Sequence, residues 1–140
     1  MLTRMGQSAG RDARTVRGVA VVMMIEAASL AVASAVHLSG HVSGRGEPFD
    51  AGHAGIAEAI IGAVLLCAAV AMLRTTRPAR TIGLAASGFA TAGFLFGLSI
   101  TARGGHWPDI AYHLAVLPVL IASLVVLARS APRRGWVGPR

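Results

Sequence analysis

The sequence predicts an all-α fold: a bundle of four transmembrane helices that run up-down-up-down, with both termini in the cytoplasm. Charged residues make up only 14% of the 140 residues, against about 25% in soluble domains. The apolar residues are gathered into four long blocks, and the arginines lie between and beyond these blocks. This composition excludes a disordered chain. We expect the protein to lie in the lipid bilayer, and we expect no nucleic-acid partner.

Four segments are long enough to cross a bilayer, because a hydrocarbon core of about 30 Å takes roughly 20 residues at 1.5 Å each. These segments are residues 18–40, 52–73, 81–101 and 108–128. Helices are expected, because the backbone N–H and C=O groups at the edge of an open β-sheet would find no hydrogen-bond partner in lipid. The transmembrane domain then covers residues 18–128. In the sequence it is preceded by a basic cytoplasmic segment, residues 1–17, and followed by a basic cytoplasmic tail, residues 129–140. The short connections predict antiparallel neighbours.

The arginines predict the orientation. Eleven of the thirteen lie before the first span, between the second and third spans, or after the last span. Only Arg45 and Arg103 fall in the other two connections. Because positively charged connections stay on the cytoplasmic side, both termini are expected in the cytoplasm and the protein in the plasma membrane.

A cleaved signal peptide is the alternative for the first span. Ala33-Ser34-Ala35 has the small-residue pattern of a cleavage site, which would leave a chain starting at Val36. The apolar stretch runs for about 19 residues and contains Glu26, whereas the apolar region of a signal peptide has 7 to 15 residues. We therefore expect the first span to be retained.

Small residues predict where the helices approach one another, because close packing drives helix association in lipid. Gly93 and Gly97 form a GxxxG pair in the third span, and Gly55 and Gly62 lie on the same face of the second span as Glu58. Packing within the chain is the favoured interpretation of these glycines. A dimer face is the alternative.

Titratable residues are concentrated toward the outer face, which holds all five His and four of the six acidic residues. His37, Glu58 and His113 lie about 5 to 10 Å inside the outer edge, on three different spans. Such residues are expected to face the bundle interior and to be functional candidates. Asp109 is placed to orient His113 from one turn away, and His41 lies one turn beyond His37. These five residues form a candidate polar site.

The chemistry of this site stays open at the sequence level. His37, Glu58 and His113 are suitable ligands for a divalent metal, and a haem could sit between the two His. The same groups could hold a quinone or pass protons or ions, or they could simply bridge helices. The sequence contains no H-E-x-x-H, Cys pair or Gly-rich phosphate loop, so it names no reaction and does not favour an enzyme.

Glu26 is a further candidate in the first span. It lies nearly in line with His37, with Ser29 and Ala33 between them on the same stripe. We expect Glu26 to be buried, and either hydrogen-bonded or protonated. His106 and His53 are expected to lie outside the site.

The second span, Gly55-Ile56-Ala57-Glu58-Ala59-Ile60-Ile61-Gly62-Ala63-Val64-Leu65-Leu66, follows a first span and an outer loop and precedes an Arg-Pro turn and two more spans. This plan resembles the small DoxX-like membrane proteins. The resemblance implies a four-helix membrane fold, in a largely uncharacterised group of which some members are subunits of quinone-linked oxidation systems.

Three functions are consistent with these patterns. The first is a cofactor-, metal- or quinone-binding subunit of a membrane redox system. The second is a non-catalytic protein that assembles with a second copy or with another membrane protein through its glycine-lined faces. The third is a small proton- or ion-coupled transporter that works as a dimer.

Overall fold

The computed structural model describes residues 2–40, 49–75 and 78–130, and within these it describes the side chains of all residues except 2–9 and 11. This part of the chain forms four α-helices: α1 (Leu2–Leu38), α2 (Ala51–Arg74), α3 (Ala79–Gly104) and α4 (Trp107–Arg129). Each helix contains a stretch that is long and apolar enough to span a membrane. The all-helical fold and its four candidate spans are therefore confirmed.

The helix boundaries follow local chemistry. Helices α2, α3 and α4 begin and end within three residues of the predicted spans, whereas α1 begins 16 residues earlier, at Leu2. Hydropathy marks where lipid can surround a helix but not where the helix must begin, and residues 2–17 contain no proline to interrupt it. Asp50 caps α2 by accepting from the backbone N–H of His53. Gly105 ends α3 at a φ of +67°, a conformation that suits glycine.

The core is a continuous apolar cluster between the helices. Its largest fully buried apolar side chains are Met23 and Leu30 from α1, Leu65 from α2, and Leu120 and Leu127 from α4. The most extensive contacts join α1 to α2 and α3 to α4, and α2 also packs on α3. Large apolar side chains are exposed on the outside as well, which is typical of helices surrounded by lipid.

All four predicted packing glycines, Gly55, Gly62, Gly93 and Gly97, lie at contacts between helices. A Cβ added to Gly62 would come within 3.2 Å of Leu30, and one added to Gly93 would come within 2.7 Å of Ile61. At Gly55 an added Cβ would meet the last side chains of α1 at 2.8 Å. These faces are thus occupied by neighbouring helices of the same chain.

Candidate functional site

Three buried titratable side chains meet where the last turn of α1 lies against the beginnings of α2 and α4. The two ring nitrogens of His37 are hydrogen-bonded to two carboxyl groups: Nδ1 lies 2.7 Å from Glu58 Oε2, and Nε2 lies 3.1 Å from Asp109 Oδ1. All three residues are buried, with no more than 7% of their surface exposed. We call His37, Glu58 and Asp109 the polar cluster. Its hydrogen bonds join three helices through one imidazole.

These two hydrogen bonds set a lower limit on the proton count of the polar cluster. Each bond needs one proton, so with no proton on the outer carboxyl oxygens the three groups together hold two protons and one net negative charge. This count is the same for an imidazolium between two carboxylates and for a neutral imidazole between one carboxylate and one carboxylic acid. The cluster can therefore shift its protons between groups without changing its total charge.

Local sequence brings α1 close enough to α2 for this contact. Gly55 has no side chain, and a Cβ at that position would lie 3.0 Å from the Cβ of His37. Ser34 donates a hydrogen bond of 2.7 Å from its hydroxyl to the backbone carbonyl of Gly55. A small residue on α2 and a hydroxyl on α1 thus set the distance between the helices, which allows His37 to reach Glu58.

His113 is held by the backbone of its own helix. Its Nδ1 donates to the carbonyl oxygen of Asp109 at 2.7 Å, because a carbonyl can only accept. Asp109 was expected to orient this ring, and it does so through its backbone carbonyl oxygen. The carboxylate turns instead toward His37, and the carbonyl one helical turn before His113 does the orienting.

The other nitrogen of His113, Nε2, points at α3. A Cβ added to Gly97 would lie only 2.5 Å from it, so the ring occupies space that glycine leaves free. The ring of Phe94 packs on the same imidazole, with centroids 5.0 Å apart. Gly97 and Phe94 therefore position the free edge of His113.

His106 belongs to the surroundings of the polar cluster, although sequence reasoning placed it outside. Its Nδ1 lies 2.9 Å from Asp109 Oδ2, and its ring stacks on Phe49 at a centroid distance of 4.7 Å. The contact with Asp109 lacks hydrogen-bond geometry, so within the described residues Oδ2 is buried without a hydrogen-bond partner. The i, i+3 spacing of His106 and Asp109 at the start of α4 was the available signal. His53, by contrast, has an exposed side chain.

A mainly apolar cleft adjoins the polar cluster. It has a volume of about 270 Å³ and lies between α2 and α3, with α4 behind it. Ile61 and Phe94 contribute to its apolar walls, and Glu58, Asp109 and His113 contribute its polar groups. The volume is close to the lower limit of small-molecule sites, which is about 300 Å³. One ring-sized group with polar substituents suits this space.

Asp50 and His53 lie at the rim of the same cleft, where Asp50 is the N-cap that precedes α2 and the candidate span. The hydrogen bond from the backbone N–H of His53 lowers the pKa of Asp50 below its ordinary value of 3.8. Asp50 is therefore ionised at neutral pH, and it stabilises the first turn of α2 as a charged cap.

Glu26 is buried but lies apart from the polar cluster. Eleven residues separate it from His37, which is about 16 Å along a helix. Both of its carboxyl oxygens are buried and have no hydrogen-bond partner among the described residues. Ser29 donates to the backbone carbonyl of Glu26 and pairs with the hydroxyl of Tyr112 at 2.9 Å. The predicted polar stripe is therefore interrupted at the Glu26 carboxyl group.

The other predicted site residues are not brought into one set. His41 lies outside the described residues. His37 turns both ring nitrogens toward carboxyl groups, and His113 turns one toward a backbone carbonyl. In the described part of the chain, no group of three or more His, Cys, Asp or Glu side chains is arranged to hold a metal ion. The structure thus gives no support to the metal set of His37, Glu58 and His113, or to a haem between the two His.

Comparison of the chain with protein-family models, curated proteins and solved structures returns no match. The function therefore has to follow from the polar cluster and the cleft. Together they offer an apolar space for a ring or chain and a polar end that can exchange hydrogen bonds and protons.

Proposed function

We propose that this protein is a small multi-pass membrane protein that binds an amphipathic molecule of the quinone class in the cleft, as a subunit of a membrane redox system. The observation that carries the proposal is the composition of the cleft. Its walls are mainly apolar, and Glu58, Asp109 and His113 are buried titratable groups in its lining, which also includes Thr101 and, at the rim, Asp50 and His53. Ligand sites commonly combine apolar walls with a few polar groups that fix orientation.

The proposed topology is an up-down-up-down bundle in the plasma membrane with both termini in the cytoplasm. Eleven arginines on one side against two on the other support it. In this orientation the polar cluster and the cleft lie toward the outer face, within reach of molecules dissolved in the outer leaflet.

The residues around the cleft suit the chemistry of a quinone. The ring of the ligand would pack on Phe94 and Ile61, and one of its oxygens would face His113 or Glu58. The polar cluster holds at least two protons on three groups, so it can take up or supply a proton when the ligand oxygens change their protonation. A partner protein would exchange the electrons.

Membership of the DoxX-like group is part of this proposal. Four candidate spans and a second helix that carries Gly55, Glu58 and Gly62 support it. The group includes subunits of quinone-linked oxidation systems, which is consistent with the ligand class proposed from the cleft.

The proposal is tested by equilibrium binding. The purified protein in lipid nanodiscs is titrated with a benzoquinone that carries a decyl chain, and binding is measured against empty nanodiscs. We expect saturable binding to the natural protein, and loss of binding in Gly97→Ala, whose new methyl group displaces His113. Gly88→Ala is the matched control, because a Cβ at Gly88 on the same helix would meet no described atom within 4 Å. Binding no greater than to empty nanodiscs would overturn the proposal.

A further inference from the structure

We infer that the cleft selects the reduced, hydroxyl-bearing form of its ligand, the hydroquinone, over the quinone. This inference rests on the proposed function and adds the hydrogen-bonding character of the head group. Its basis is that Glu58 and His113, at the buried end of the cleft, present hydrogen-bond acceptors, whereas His53, with its ring N–H donor, is exposed at the rim. A ligand that donates hydrogen bonds therefore matches them, and one that only accepts does not.

The first acceptor is His113 Nε2. The hydrogen on the ring is fixed at Nδ1 by the carbonyl of Asp109, which can only accept. In the neutral ring, Nε2 then carries a lone pair and no proton. His113 therefore presents an acceptor next to the cleft.

The second acceptor is Glu58. Its Oε2 is already engaged with His37 Nδ1, and Oε1 has no hydrogen bond to any residue that the structure describes. If the proton of that hydrogen bond belongs to His37, Glu58 is a carboxylate and Oε1 accepts. If the proton belongs to Glu58, it lies on Oε2 and points at His37, so Oε1 is a carbonyl oxygen and still accepts. With two protons in the polar cluster, both distributions thus leave Glu58 an acceptor.

Asp109 Oδ2 is a further acceptor that is buried and without a hydrogen-bond partner among the residues that the structure describes, but His106 Nδ1 lies 2.9 Å from it, so the inference rests on His113 and Glu58. The other oxygen of this carboxyl group is engaged with His37, as in Glu58. With two protons, the polar cluster also carries one net negative charge, which adds to the electron-rich character of this end of the cleft.

A quinone carbonyl would bring a further lone pair against these acceptors, whereas a hydroquinone hydroxyl would donate to one of them. A buried polar group that gains a partner contributes about 0.5 to 1.5 kcal/mol, so one such hydrogen bond changes the affinity by up to about tenfold. Two hydroxyls that each reach an acceptor would widen the difference.

The test compares three ligands that carry the same decyl chain: the hydroquinone, its dimethyl ether and the benzoquinone. The dimethyl ether keeps the ring and both oxygens but has no hydroxyl to donate, and it does not exchange electrons. Binding to the natural protein is measured in nanodiscs of uncharged phosphatidylcholine without oxygen. We expect the hydroquinone to bind about tenfold more tightly than either of the other two ligands.

His113→Phe separates the acceptor from the shape of the ring. We expect it to reduce the preference for the hydroquinone over the dimethyl ether by several-fold. The comparison of the three ligands on the natural protein does not depend on this variant and decides the question if the variant fails to fold. Equal affinities for all three ligands would overturn the inference and leave the proposed function standing. No saturable binding of any of them would overturn both.

Discussion

Substitution of Gly97 by Ala tests whether His113 is seated against α3 as the structure shows. The new Cβ would lie 2.5 Å from His113 Nε2, whereas ordinary contact begins at 3.4 Å. The ring or one of the helices must therefore move by roughly 1 Å. The ring has little freedom to do so, because its Nδ1 is hydrogen-bonded to Asp109 at 2.7 Å and Phe94 packs on its face.

The size of the effect follows from two terms. Overpacking of a well-packed site costs about 1 to 3 kcal/mol. Replacement of glycine by alanine inside a helix has the opposite effect, because the higher helix propensity of alanine raises the free energy of unfolding by about 1 kcal/mol. The second term is shared by Gly88→Ala, where the methyl group meets no described atom within 4 Å. The difference in the free energy of unfolding between the two variants is therefore expected at about 1 to 3 kcal/mol, with Gly97→Ala the less stable.

The assay is reversible unfolding in mixed micelles, with the helix content followed by circular dichroism as the fraction of denaturing detergent rises. Both variants are measured beside the natural protein under one condition. If Gly97→Ala proved as stable as Gly88→Ala, the contact between Gly97 and His113 would not exist as described, and the argument for the orientation of His113 would fail.

Three further predictions concern other parts of the chain. Glu58→Gln is expected to lower the free energy of unfolding by about 1 to 3 kcal/mol, because it perturbs a buried hydrogen bond to His37, and an unchanged value in the same assay would contradict the polar cluster. Arg80 donates to the carbonyls of Leu127 and Ala128 at the end of α4, so Arg80→Ala should cost about 1 kcal/mol, while Arg103→Ala, at an exposed position, should cost nothing measurable. The folded-state pKa of Asp50 is lowered, so its cap contributes stability above pH 3.8, and this contribution is lost as the pH falls through the folded-state pKa. The natural protein should therefore lose stability relative to Asp50→Asn on acidification below about pH 3.8, and parallel pH profiles for the two proteins would refute this role.

The helices could be predicted from the sequence because the bilayer imposes a minimum length of apolar chain. The same reasoning at the level of single residues placed His37 and Glu58 in the bundle interior, since ionisable groups avoid lipid. The pairing of Gly55 with the end of α1 was also within reach, because a small residue one turn from Glu58 permits close approach.

The hydrogen-bond partners of Asp109 and His106 depended on three-dimensional details that the spacing of residues in the sequence does not specify. Asp109 and His113 are one turn apart, but the spacing could not tell whether the carboxylate or the carbonyl would hold the ring. The choice is settled by His37 on α1, whose approach to α4 is set by helix packing. His106 was missed for a similar reason, since its contact with Asp109 depends on side-chain torsions and on Phe49, which precedes α2.

Glu26 shows what helical periodicity alone can predict. The spacing of eleven residues predicted that Glu26 lies on the same face of α1 as His37, and Glu26 is indeed buried. Alignment on one helix does not supply a partner from another helix, however, and no hydrogen-bond partner reaches its carboxyl group among the described residues. Burial could be predicted from one helix, whereas hydrogen bonding requires the register of its neighbours.

The most direct test of the polar cluster is nitrogen-15 nuclear magnetic resonance of the histidine-labelled protein in lipid, with the two ring nitrogens of His37 assigned. The structure predicts that Glu58→Gln shifts mainly the Nδ1 resonance and that Asp109→Asn shifts mainly the Nε2 resonance, because each nitrogen faces one carboxyl group. If neither substitution moved a His37 nitrogen, or both moved the same one, His37 would not bridge the two acids and the proposed site would lose its foundation.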